Sequence, residues 1–148
     1  MFKQIVAGTD GSSRSRQVVN TAAALAEAHG ARLHLVWAYR ASSALSAAGS
    51  SVDLMGSALV ADVDAGNEVA AGLEALRSEL ASTGLEVETY PCCSGAADAL
   101  LEVAAHQSAD LLVVGNKGMH GARRVLGSIP NTIAHQATCS VMIVPTDA

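Results

Sequence analysis

Aromatic residues make up only 3% of the 148 residues, charged residues 16%, and there are three prolines. Half of the chain is hydrophobic, so with so little aromatic volume the core must be packed from Ala, Val, Leu and Ile. No apolar run reaches the ~18 residues that a membrane-spanning helix needs, and no membrane association is expected. Cations are in the minority. Nine Lys and Arg against 14 Asp and Glu give a net charge of −5, which excludes a global attraction to nucleic acid or to an anionic membrane. The three cysteines, Cys92, Cys93 and Cys139, form neither a CxxC pair nor an even disulfide framework, which suits the reducing cytoplasm. Met1 to Ile5 runs into a strand-like segment without the blocks of a signal peptide, again a cytoplasmic expectation.

Several motifs are also absent. GxxxxGK[ST] and GxGxxG do not occur, so neither the P-loop nor the dinucleotide-binding fingerprint is indicated. GxSxG is missing. The five histidines lack HxH and HExxH spacing, which leaves no metal site to expect. A phosphoacceptor receiver domain needs paired acids after its first strand, where Asp10 stands alone. Cys92 and Cys93 read as small buried packing residues, because adjacent cysteines bridge only through a strained ring.

What remains is an alternation of short β-branched runs with longer Ala-rich stretches. Strands are expected over 4–9, 33–39, 85–90, 110–114 and 140–144, the last ended by Pro145. Helices are expected from Ser12 to about Ala28, from Asp62 to Ser82, from Ala96 to Gln107 and from Ser128 to Gln136. Gly30 and Gly84 close the first two, as residues that take positive φ cheaply. Val18, Ala22, Leu25 and Ala26 share a face of the first helix; Val69, Leu73, Leu76 and Leu80 form a stripe on the second. Residues 40–60, rich in Ser, Ala and Gly without a firm period, read as a long loop. Five strands joined by helical crossovers predict a single-domain α/β fold over 1–148: an open parallel five-stranded sheet with helices on both faces. Ligands of such sheets bind beyond the carboxyl ends of the strands, where the winding reverses.

Two segments fall at such ends. Gly115-Asn116-Lys117-Gly118 begins a glycine-rich stretch that finishes at Gly127-Ser128, a helix start. Glycines at 115, 118 and 121 permit left-handed backbone and close approach of a ligand, and amides of such a loop can form an anion-binding concavity. Ser128 supplies an N-cap hydroxyl beside free helix amides and the positive dipole end, and Pro130 suits the first helical turn. Lys117, Arg123 and Arg124 lie in this stretch, and no Asp or Glu occurs from 115 to 145. A locally cationic, carboxylate-free segment in a chain of net −5 is what an anionic ligand needs. Asp10, at the end of the first strand, can serve a ribose hydroxyl or a phosphate-bound Mg²⁺, or can close an Asx turn.

On these residues the chain resembles the universal stress protein family over nearly its whole length. The start Val6-Ala7-Gly8-Thr9-Asp10-Gly11-Ser12 matches, as does the C-terminal signature. ATP-binding members of the family carry G-x2-G-x9-G-[S/T]; here eight residues, not nine, separate Gly118 from Gly127-Ser128. The resemblance implies a Rossmann-like sheet, strand order 3-2-1-4-5, of the kind seen in adenine nucleotide α-hydrolases. It implies an adenine slot lined by Ala38 and Val114, with Asp10 near adenine or ribose. Gly115 and Gly118 would then lie near ribose and phosphates, and Gly127, Ser128 and Ile129 around the phosphates. Gly8, Thr9 and Lys117 complete the expected ligand-binding set. The implied cofactors are ATP and Mg²⁺, and the implied assembly is a homodimer through the last strand, whose apolar edge invites pairing. No base and nucleophile pair stands out, so the chain reads as a stress-response binding module rather than an enzyme. A signalling protein for AMP or cyclic AMP, a weak ATPase and a purely structural dimer are the competing readings.

Overall fold

In a computed structural model, residues 1–41, 52–116 and 128–146 are described. Lys117, Gly118, Gly121, Arg123, Arg124 and Gly127 therefore lie outside the described residues. The strands are β1 (Gln4–Gly8), β2 (Arg32–Tyr39), β3 (Val87–Cys93), β4 (Leu111–Gly115) and β5 (Ser140–Val144). The helices are α1 (Ser13–His29), α2 (Val52–Ala81), α3 (Ala96–His106) and α4 (Ile129–Gln136). All strands are parallel, in the order β3-β2-β1-β4-β5, as expected.

The period of two in the strands divides the core. Ile5, Ala7, Leu33, Leu35, Leu111 and Val113 face α1 and α2, where Val18, Ala22, Val69 and Leu73 meet them. Val6, Val36, Leu112 and Val114 face the other way, onto Leu100 and Val103 of α3 and Ile133 of α4. Both faces are aliphatic, as the composition demands. Helix α1 is framed by local chemistry: the Ser12 hydroxyl accepts from the Ser15 amide at 3.2 Å, and Gly30 ends the helix at φ 63°, ψ 38°.

Two boundaries differ from expectation. Helix α2 begins at Val52, so residues 52–60 are helical rather than loop. Nothing breaks a helix there: no proline occurs between residues 1 and 90, and Ser and Ala are tolerated in helices even without a strong amphipathic period. Strand β3 runs through Pro91 to Cys93, three residues beyond the expected end. As an edge strand it accepts a proline that cannot donate to a ladder, and the eight residues of β2 give it partners up to Tyr39, opposite Cys93. Cys93 is consequently exposed and Cys92 half-buried, so the pair is not the buried packing unit that adjacency suggested.

The amino ends of β1, β2 and β3 hold a polar network. His34 is fully buried. Its Nε2 shares a 2.7 Å hydrogen bond with the Gln4 side chain and its Nδ1 a 3.0 Å one with Tyr90 Oη. Tyr90 donates onward to Glu88 at 2.6 Å, and Arg32 donates to Glu86 at 2.9 Å. Burial holds the His34 pKa below its ordinary value, because the imidazolium would lose its hydration. Burial, and then the hydrogen bond to Glu88, push the Tyr90 hydroxyl well above the usual phenol range. Beside this network, Asp110 accepts the Lys3 and Gln4 amides at 2.6 and 2.8 Å, and these two backbone donors lower its pKa.

Candidate functional site

At the opposite end of the sheet, β1 and β4 are neighbours while their crossovers leave in different directions, which opens a cleft beyond their carboxyl ends. Its volume is about 450 Å³. Val36 and Ala38 from β2, Val114 from β4 and Leu100 from α3 supply apolar walls. The polar rim comes from the turn after β1 and the first turn of α1: Thr9, Asp10, Ser12, Arg14 and Ser15. The starts of three helices open on the cleft, through Ser12 for α1, Ala96 for α3, and Ile129 and Pro130 for α4.

The β1–α1 turn is shaped by hydrogen bonds and by one glycine. The Thr9 amide donates to Val36 O at 2.9 Å. The buried Thr9 hydroxyl lies 3.0 Å from Ser15 Oγ and accepts the Gly11 amide at 3.2 Å. Asp10 Oδ1 accepts the Ser12 amide at 3.0 Å, an Asx turn that leaves the capping of α1 to Ser12. Gly11 sits at φ +73°, and any Cβ there would collide with the indole of Trp37. The same indole approaches Gly72 so closely that a Cβ on that residue would lie 2.7 Å from it. Trp37 thus wedges the turn against α2, and these two glycines make room for the ring.

On the β4 side, Gly115 is extended, not left-handed as its glycine-rich context suggested. Its missing side chain is needed for proximity: a Cβ would meet Thr146 Cγ2 at 3.1 Å and Val18 Cγ2 at 3.3 Å. Thr146 is itself clasped. Asn116 Oδ1 accepts both its amide, at 3.0 Å, and its hydroxyl, at 2.8 Å. At α4, the Ser128 hydroxyl accepts the Asn131 amide at 3.3 Å and Pro130 occupies the first turn, as the sequence led us to expect.

A cleft at the switch point of an all-parallel sheet, bordered by three helix starts, is set in a chain whose residues 1–145 match the sequence profile of the Universal stress protein family. The chain belongs to the universal stress protein family. A universal stress protein of Mycobacterium tuberculosis (strain H37Rv) is 34% identical over 154 residues, covering 98% of this chain and 97% of the relative. A solved universal stress protein in complex with cAMP is 30% identical, with a TM-score of 0.75 and coverage of 99% of this chain and 98% of that one. The universal stress protein UspA from Lactobacillus plantarum, 19% identical, shares the fold with a TM-score of 0.76 over 96% of this chain and 97% of that one.

Of the residues expected at the ligand, Gly8, Thr9, Asp10, Ala38, Val114, Gly115 and Ile129 come together around the cleft. Ser128 stands one residue before the lining, as the cap of α4. Lys117, Gly118 and Gly127 lie outside the described residues. Sequence reasoning missed Arg14, Ser15, Leu100 and Thr146. Arg14 carried a signal, a cation in the first turn of a helix, where the dipole disfavours it. Thr146, beyond the proline that ends β5, carried none.

Proposed function

We propose that this chain is an adenine-nucleotide-binding module of the stress-response type, with ATP as its ligand. The observation that carries the reading is the cleft itself, which combines aliphatic walls with the starts of three helices. A purine is flat and apolar on both faces and fits between Ala38 and Val114, while phosphates suit helix amino ends. Asp10 is the one carboxylate among the described lining residues. We read it as serving a ribose hydroxyl or a Mg²⁺ that arrives on the phosphates, since that ion keeps most of its ligands as water and phosphate oxygens. The Asp10 carboxylate already accepts from Ser12, which suits a binding role rather than that of a general base.

Cyclic AMP is the second reading, because the 30% identical solved relative carries it. A homodimer through β5 belongs to the same proposal. β5 is a sheet edge, and Val141, Met142 and Ile143 are only half-buried on it. The cytoplasm is the proposed location, in keeping with three free cysteines; among the described residues no helix is long and apolar enough to cross a membrane.

Isothermal titration with Mg-ATP, AMP, cAMP and adenosine tests the reading. ATP is expected to bind tightest, and at ~100 times its Kd to stabilise the fold by about 2.7 kcal/mol in a melt. Gly115→Val, which fills the space before Thr146 and Val18, is expected to abolish the heat of binding. Absence of binding by every adenine ligand overturns the proposal; tighter binding of cAMP replaces ATP with the second reading.

A further inference from the structure

Three of the five described arginines are ion-paired. Arg16 pairs with Glu79, Arg32 with Glu86 and Glu88, and Arg77 with Glu74. Arg14 is different. It is exposed, lines the cleft, and makes no ion pair or side-chain hydrogen bond with any described residue, even though Asp10 borders the same cleft. It also sits in the first turn of α1, which holds no acidic residue, so its charge adds to the positive end of the helix dipole. A cation placed against the dipole without a carboxylate partner costs stability, and a local rule broken without a compensating contact marks a functional position.

Its location fits a phosphate. Val18, one helical turn further on, shares a face of α1 with Arg14 and approaches Gly115 to 3.3 Å of where a Cβ would stand. Arg14 therefore overhangs the end of β4, on the α1 wall of the cleft, while the start of α4 forms another part of its lining. Arg14 and the helix starts line one volume, and a planar fork of donors is well matched to phosphate oxygens.

We propose that Arg14 is a specificity-determining residue that reads the charge of the ligand, so that the cleft favours a polyphosphate over a cyclic monophosphate or a nucleoside. This rests on the adenine-nucleotide reading above and extends it to a residue outside the family resemblance. Arg14→Gln and Arg14→Lys in the full chain test it by titration with ATP, cAMP and adenosine at low and high salt. Arg14→Gln is expected to weaken ATP by about tenfold, cAMP by less and adenosine not at all, and to flatten the salt dependence for ATP. Arg14→Lys should recover part of the ATP affinity, since it restores charge without the fork. The ligand-free Arg14→Gln protein should melt at the wild-type temperature or slightly above it, because a cation has left the positive helix end. Unchanged ATP affinity, an equal loss for adenosine, or a lowered melting temperature overturns the assignment. If the wild type binds ATP and Arg14→Gln does so equally, Arg14 alone falls; if the wild type binds no adenine ligand, the nucleotide reading falls with it.

Discussion

The two ends of the sheet use their polar groups differently. At the amino end, His34, Tyr90, Glu88, Gln4, Arg32 and Asp110 are each held by at least one hydrogen-bond partner. At the carboxyl end Thr9, Asp10, Ser12 and Thr146 are bonded as well, but three helices begin there, glycines hold the chain close together, and Arg14 lines the cleft without an ion pair to a described residue. A satisfied network stabilises the fold and has nothing to offer a ligand. A cation at the positive end of a helix with no acidic partner weakens the fold and awaits an anion. The difference locates function at the cleft and structure at the other end, and substitutions can break it.

The largest effect is expected at the glycine on which the cleft's shape depends. Gly11→Ala combines strained positive φ with a collision against Trp37, and should destabilise the protein by about 3 kcal/mol in urea unfolding. A cost under about 0.5 kcal/mol would mean that the turn is not anchored as described. The amino-end network comes next. His34→Leu leaves Gln4 and Tyr90 without their shared partner, at a cost of about 2 kcal/mol. This variant also carries a pH signature. Because the folded state lowers the His34 pKa, the unfolded chain binds its proton first on acidification. Wild-type stability should hold above about pH 6.5 and fall as pH drops below it, and the variant should lack this component. Identical pH profiles between about pH 7 and 5 would contradict the account. The smallest effect belongs to the clasp behind Gly115. Asn116→Ala removes two hydrogen bonds to Thr146 and should cost about 1 kcal/mol while weakening nucleotide binding several-fold. Loss of stability without loss of binding would assign the clasp to the fold alone.

The architecture was legible because it rests on period. Strands such as Leu111–Gly115, buried on both faces, and the Val69–Leu73–Leu80 stripe leave few alternatives, and crossovers then set the layers. Ends were less legible. Helix α2 gained residues 52–60, which show no clear amphipathic period, and β3 gained Pro91 to Cys93 only because β2 offers a long enough ladder. The cleft divides in the same way. Asp10 and Gly115 stand where strands end, so topology finds them. Gly11 and Gly72 matter through a tryptophan distant in sequence, and Thr146 through an asparagine 30 residues away, contacts that no local pattern encodes.

A crystal structure of the chain with saturating Mg-ATP tests the central claim most directly. The purine should lie between Ala38 and Val114, with the phosphates running past Gly115 towards the start of α4 and within reach of Arg14. A nucleotide bound elsewhere on the surface, or a cleft left without one at saturation, would contradict it.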